Sequence, residues 1–364
     1  MAGLLLLAGC AEAPKAPPAK AAEIPVFPPA PEQPRFYWER ALHNTGDVVP
    51  DDKDGALRRM VTGERRMGEG IDKPYGVAAR NGKVYVGDTV GRFVMMYDLN
   101  AGKFARIGRD GPGALRMPFG LEVDARGNLY VVDGSTKRVQ VFDPAGKHLR
   151  TLGEDIKWSR PVGIAIDDAR KRLYIVDTGG VDSEEHKVRV LDMDTGKQLL
   201  EIGKRGDGPG EFNLPRDAAV GADGKLYVVD GGNFRIQVFD ATGKHLQTFG
   251  GVGRQTGQFS RPKEIAADKD GNLYVVDTAF GNFQIFDPQG QLLLAVGSRG
   301  NSDTPARFML PAGIAVDVDG RVYMADQFFR KVEVFRPAAL PARAGYGLPQ
   351  ATAAAPQRAA SGTR

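Results

Sequence analysis

Cysteine, histidine and helical pattern are all scarce in this sequence. One cysteine, Cys10, excludes any intrachain disulfide. Four histidines, His43, His148, His186 and His245, are scattered without metal-ligand spacing, so no metal is assigned to them. No apolar run is long enough to cross a bilayer. Apolar residues rarely recur at helical intervals, which sets aside helical bundles and alternating α/β layers. Charge is also nearly balanced. The net charge is +4, and Arg343, Arg358 and Arg364 lie in a tail without an acid. The remaining body is close to neutral and lacks the broad basic footprint of a nucleic-acid binder.

Glycine and proline are plentiful, at 47 and 24. They punctuate short runs of β-branched and aromatic residues, which is the pattern of strands and tight turns. The runs repeat in register. Six units align on Pro74, Pro118, Pro161, Pro215, Pro262 and Pro311. Each then has an apolar run closed by an aspartate, at Asp88, Asp133, Asp177, Asp230, Asp277 and Asp326. A third run follows, such as "VQVFD" or "FQIFD", and then a fourth, such as "GKHLRTLG". Turns such as "DARGN" and "DPAGK" supply the glycine that hairpin loops need. Each unit therefore reads as a four-stranded antiparallel meander. Several runs are apolar at consecutive positions, so both faces must be covered. Six meanders arranged radially achieve this, giving an all-β, six-bladed β-propeller.

The unit resembles the NHL repeat: proline-x-glycine-apolar-Ala-apolar-Asp, then apolar-Tyr-Val-x-Asp, then Arg-apolar-x-apolar-Phe. The resemblance spans residues 71–336 and implies the propeller fold, which hosts many functions. The last unit ends at "KVEVFRP" without a fourth strand. An N-terminal strand must close the ring. Leu57–Gly63, within "LRRMVTGERRMGEGIDKP", is the expected closing strand, and "RFYWERAL" from Arg35 to Leu42 is the alternative.

The N-terminus "LLLLAGC" resembles a bacterial lipobox. That resemblance implies a signal peptide over residues 1–9 and a lipid-modified (acylated or palmitoylated) Cys10. It also implies a protein held in the bacterial envelope on the periplasmic side. Ala11 stands where lipoproteins retained in the inner membrane often carry Asp, which implies the outer membrane. Residues 10–34 are rich in Pro and Ala and read as an extended tether. The propeller is expected over 35–336, followed by a disordered Ala/Pro/Arg tail over 337–364.

Candidate chemistry is sparse. The six aspartates recur too regularly for a single active site and read as turn anchors. His186 lies in the charged loop "DTGGVDSEEHKVRV", which reads as a solvated loop tip. Two departures from the repeat remain. Two residues after the proline, four units have glycine, but the fourth and fifth have Asp217 and Glu264, preceded by Arg216 and Lys263. After the closing aspartate, units four to six place Phe234, Phe280, Phe328 and Phe329 on loops of one face. Clustered aromatics of this kind mark interaction surfaces.

These eight residues are the expected binding site of a non-catalytic, monomeric propeller that engages a protein or envelope glycan, not nucleic acid. No cofactor is assigned. The alternative is a calcium-dependent lactonase-like or lyase-like enzyme, with Asp217, Glu264 and Glu122 as oxygen donors.

Overall fold

The computed structural model describes residues 24–50, 61–62 and 68–347. Blade 4 shows how one repeat folds. Its strands are Pro215–Val220, Leu226–Asp230, Arg235–Phe239 and His245–Gly250, paired antiparallel in that order. Pro215 opens the innermost strand, where its missing N–H breaks no ladder. In the blade 2 turn "DARGN", the Asp124 carboxylate accepts from the N–H groups of Arg126 and Asn128, and Gly127 takes φ +85°.

Six such blades close into a ring. Each innermost strand lies against the next, and Pro311–Val316 of blade 6 returns to Pro74–Arg80 of blade 1. The hydrophobic core is divided accordingly into six clusters, each between two neighbouring blades. Consecutive apolar residues follow from this arrangement. In "LYVVD" of blade 2, Leu129 and Val131 pack toward blade 1, while Tyr130 and Val132 pack toward blade 3. Successive strand side chains point to opposite faces, and here both faces are covered.

The ring is closed by Phe36–Leu42, which pairs antiparallel with Lys331–Pro337. The expectation of Leu57–Gly63 is therefore corrected. Only Val61 and Thr62 of that stretch fall within the described residues, and the ladder position is taken by the alternative strand. Val26–Phe27 adds a fifth strand to the same blade. The sheet thus begins before residue 35, inside the stretch read as tether. Past residue 337, Tyr346 lies 4.3 Å from the Arg321 guanidinium, so part of the supposed tail packs on the propeller. Cys10, the signal-like segment and residues 348–364 lie outside the described residues.

Candidate functional site

The recurring aspartates are built into the frame. All six are buried. Asp277 accepts from the backbone N–H groups of Ser260 and Arg261, just before the proline, and from those of Ala279 and Phe280 in its own turn. Asp88, Asp133 and Asp326 repeat this pattern. These carboxylates fix the two loops that form one end of each blade.

The innermost strands explain the position two residues after the proline. A Cβ on Gly120 would come within 2.7 Å of the Val162 carbonyl oxygen in blade 3, and one on Gly76 would run into the Phe119 carbonyl. Glycine there lets neighbouring strands pack backbone to backbone. In blades 4 and 5 the side chain instead reaches across the seam. Asp217 Oδ2 accepts from the Ile265 N–H at 3.1 Å, and Glu264 Oε2 accepts from the Ile314 N–H at 3.3 Å. Ile265 and Ile314 occupy equivalent places in successive blades, so the two acids make the same stitch twice.

Both acids also line a cavity of about 200 Å³ on the ring axis, together with Glu122. Glu122 stands four residues after its proline, where every other blade has alanine. Burial, reinforced by Glu122, pushes Asp217 up to about 7 despite the N–H groups that it accepts from. Burial and the Asp217 charge push Glu264 well above the carboxylate range. Burial lifts Glu122 to about 7. The cavity continues past Arg80 and Asp168 into a wider funnel of about 710 Å³.

The opposite end of the axis is stoppered. Tyr75 and Phe119 pack with ring centroids 4.7 Å apart, and Lys263 reaches from blade 5 to lie 4.3 Å from the Tyr75 ring centre. Burial pushes Lys263 down to about 8 against the pull of Glu264. Among the described residues, no ion pair joins Arg216 to Asp217 or Lys263 to Glu264 (the charges beside each other in sequence are not salt-bridged).

Residues 212–239, from the loop before blade 4 to the end of its third strand, match the NHL repeat family. A mouse NHL repeat-containing protein 3 is 34% identical over 104 residues, covering 28% of this chain and 28% of that protein. A bovine NHL repeat-containing protein 2 is 30% identical over 95 residues, covering 22% of this chain and 12% of that protein.

The chain is a six-bladed β-propeller that carries an NHL repeat.

It spans under a third of the length of these curated relatives. Among solved structures, a gluconolactonase from Xanthomonas campestris superposes with a TM-score of 0.58 at 15% identity, covering 87% of this chain and 96% of that one. A virginiamycin B lyase from Staphylococcus aureus gives 0.54 at 15% identity, covering 82% and 98%. At such identities the likeness is one of fold.

The four aromatics of this propeller do not act alike. Phe234 is partly buried against the core between blades 4 and 5, and Phe280 is half-buried. Phe328 is 59% exposed, with its ring 5.2 Å from that of Phe329. Phe329 in turn lies beside the buried Lys331, whose amine pairs with Glu333 at 2.6 Å. Only Phe328 presents most of its ring to solvent. Sequence reasoning missed Lys73, Arg160 and Arg261, which precede three of the repeat prolines on the stoppered end. Their signal was the alignment itself, read one position earlier.

None of the four histidines lines the axial cavity. His186 is buried. Its Nε2 meets the Gly180 carbonyl at 2.9 Å and its Nδ1 accepts from the Leu214 N–H at 3.2 Å. Its loop partner Glu185 is held by Arg189.

Proposed function

We propose that this protein is a non-catalytic binding propeller that engages a protein partner through its stoppered face. The observation that carries the reading is the exposed Phe328, beside the half-exposed Leu310 of the same blade, with Met117 half-exposed at the equivalent place in blade 2. An exposed apolar ring with apolar neighbours among polar loops has the composition of an interface contact. The fixed loops beneath it supply a rigid platform, because Asp326 holds the backbones of Leu310, Phe328 and Phe329.

We place the protein in the envelope, held by a lipid on Cys10, on the strength of the lipobox-like sequence. The test is cross-linking capture of a partner from the native envelope, compared between the wild type and Phe328→Ala. A partner recovered from the wild type and lost from the variant supports the reading. Equal recovery from both would count against it.

A calcium-dependent lactonase-like or lyase-like reading draws on the axial acids and on the fold neighbours. The residues do not fit a resident calcium. Asp217 and Glu264 direct oxygens at backbone N–H groups. Among the described residues, no three His, Cys, Asp or Glu side chains converge as ligands. Metal analysis of the purified protein tests this directly: a stoichiometric ion would revive the enzyme reading.

A further inference from the structure

We propose that the stoppered mouth recognises a run of carboxylates, interleaved with apolar residues, on the protein partner. This rests on the binding reading above and names the chemistry of the surface that docks.

The residues on either side of the six repeat prolines encircle the mouth. Five are cations: Lys73, Arg160, Arg216, Arg261 and Lys263. The others are apolar or aromatic, and none is acidic. Among the described residues, none of the five makes an ion pair, although other cations of the same face do, such as Arg330 with Asp72 at 3.9 Å. The five are close enough to act on one another. After burial, Arg160 and Arg261 hold the Arg216 guanidinium below its usual range. Arg216, Arg261 and Lys73 repel the Lys263 ammonium in the same way. Backbone hydrogen bonds enforce this crowding. Asp88, Asp177 and Asp277 hold the N–H groups of Lys73, Arg160 and Arg261. The frame thus fixes like charges together, with Glu264 acting on Lys263 from within the ring and, among the described residues, no ion pair to neutralise them. A docking partner supplies the counter-charge.

The neighbours of the cations select among anions. A neutral glycan is read by hydroxyl and amide groups, and the flanking positions offer only the Tyr75 phenol, which is largely buried. Successive bases of single-stranded nucleic acid stack on a series of aromatic faces. Here the Tyr75 ring is covered by Lys263 and Phe119, which leaves Phe328 as a single exposed ring among the aromatics named above. Guanidinium forks match carboxylates in two-point geometry. Met117, Leu310 and Phe328 lie between and beyond the cations as apolar contacts. Acidic side chains separated by apolar ones complement that spacing.

The probe is a fluorescently end-labelled peptide of alternating glutamate and leucine, titrated with the full-length protein and read by fluorescence anisotropy. We expect binding that weakens steeply with added salt. We expect at least a tenfold loss in the Arg216→Gln/Lys263→Met double variant and several-fold loss in Arg261→Gln. Arg261 is exposed, so its variant keeps the fold intact and isolates the charge. The peptide with lysine in place of glutamate should not bind.

The inference is overturned by failure of the glutamate peptide to bind, or by unchanged affinity in the variants. It is equally overturned by tighter binding of a single-stranded oligonucleotide or of anionic phospholipid vesicles than of the peptide. The two readings fail separately. Partner capture that survives the cation variants but is lost in Phe328→Ala leaves the binding reading standing without this one. Peptide binding without any captured partner does the reverse.

Discussion

Arg321 Nε lies 2.8 Å from Glu39 Oε2, across 282 residues of chain. Arg321 is fully buried and also meets Asp319 and the carbonyl oxygens of Ala344 and Gly345. One guanidinium therefore ties the closing strand, the last blade and the segment after it. Breaking a buried, hydrogen-bonded pair typically costs about 3–5 kcal/mol because the survivor keeps its desolvation penalty. Glu39→Ala should lower the unfolding free energy toward the smaller figure, since Asp319 still faces the cation. Urea denaturation followed by tryptophan fluorescence measures it. An unchanged midpoint would show that ring closure does not depend on this pair.

The two axial acids carry a pH dependence of defined sign. Asp217 ionises near 3.8 when unfolded and, chiefly through burial, near 7 when folded. Between those values the folded state holds a proton that the unfolded chain has released. Its stabilising contribution is full below about pH 4 and is lost as pH rises toward about 7. Lys263 works oppositely. Pushed down to about 8 from 10.5, it is neutral when folded and charged when unfolded between those values, so that window favours the fold as pH rises. The melting temperature of Asp217→Asn should therefore fall less than that of the wild type between about pH 5 and pH 7. Parallel curves would contradict the assignment.

Replacing Asp217 by the glycine of the other blades tests the stitch between strands. The Ile265 N–H would lose its acceptor in a buried seam, at about 1–3 kcal/mol. Asp217→Gly should be destabilised by that order, and Asp217→Asn, which keeps a carbonyl acceptor, by less. If glycine proves neutral, the acid is not serving as a strand link.

The Asp326 carboxylate accepts from four backbone N–H groups, those of Met309, Leu310, Phe328 and Phe329. Asp326→Ala should cost about 3 kcal/mol or more. It should also raise amide hydrogen exchange at Phe328 and Phe329 well above that elsewhere in the blade. Exchange that stays at wild-type rates in this loop would remove Asp326 as its organiser.

The lipid anchor proposed on Cys10 has a direct test. If it is present, Cys10→Ser should move the protein from the membrane fraction to the soluble fraction without altering its melting temperature. Continued sedimentation with membranes would argue against a lipid anchor at this residue.

The strands and their order were legible because proline, aspartate and glycine recur in register, and each marks a local backbone event. Closure was harder to read. Leu57–Gly63 and Arg35–Leu42 are both strand-like in isolation. The choice is made by partners far away in sequence, such as Arg321 for Glu39 and the core that receives Phe36. Asp217 and Glu264 stood out as departures from glycine. Their acceptor role depends on amides in the next blade, which no single repeat contains. Phe234 and Phe328 occupy similar loops, yet one faces the core and the other faces solvent, because seam packing decides the direction of each ring.

The two ends of the ring axis are built differently. Tyr75, Phe119 and Lys263 pack together at one end of the ring axis, and the three carboxyl groups line the cavity that opens past Arg80 and Asp168 into the funnel. The two ends of one axis thus differ in kind: the cavity holds carboxyl groups whose ionisation burial disfavours, while the other end carries cations.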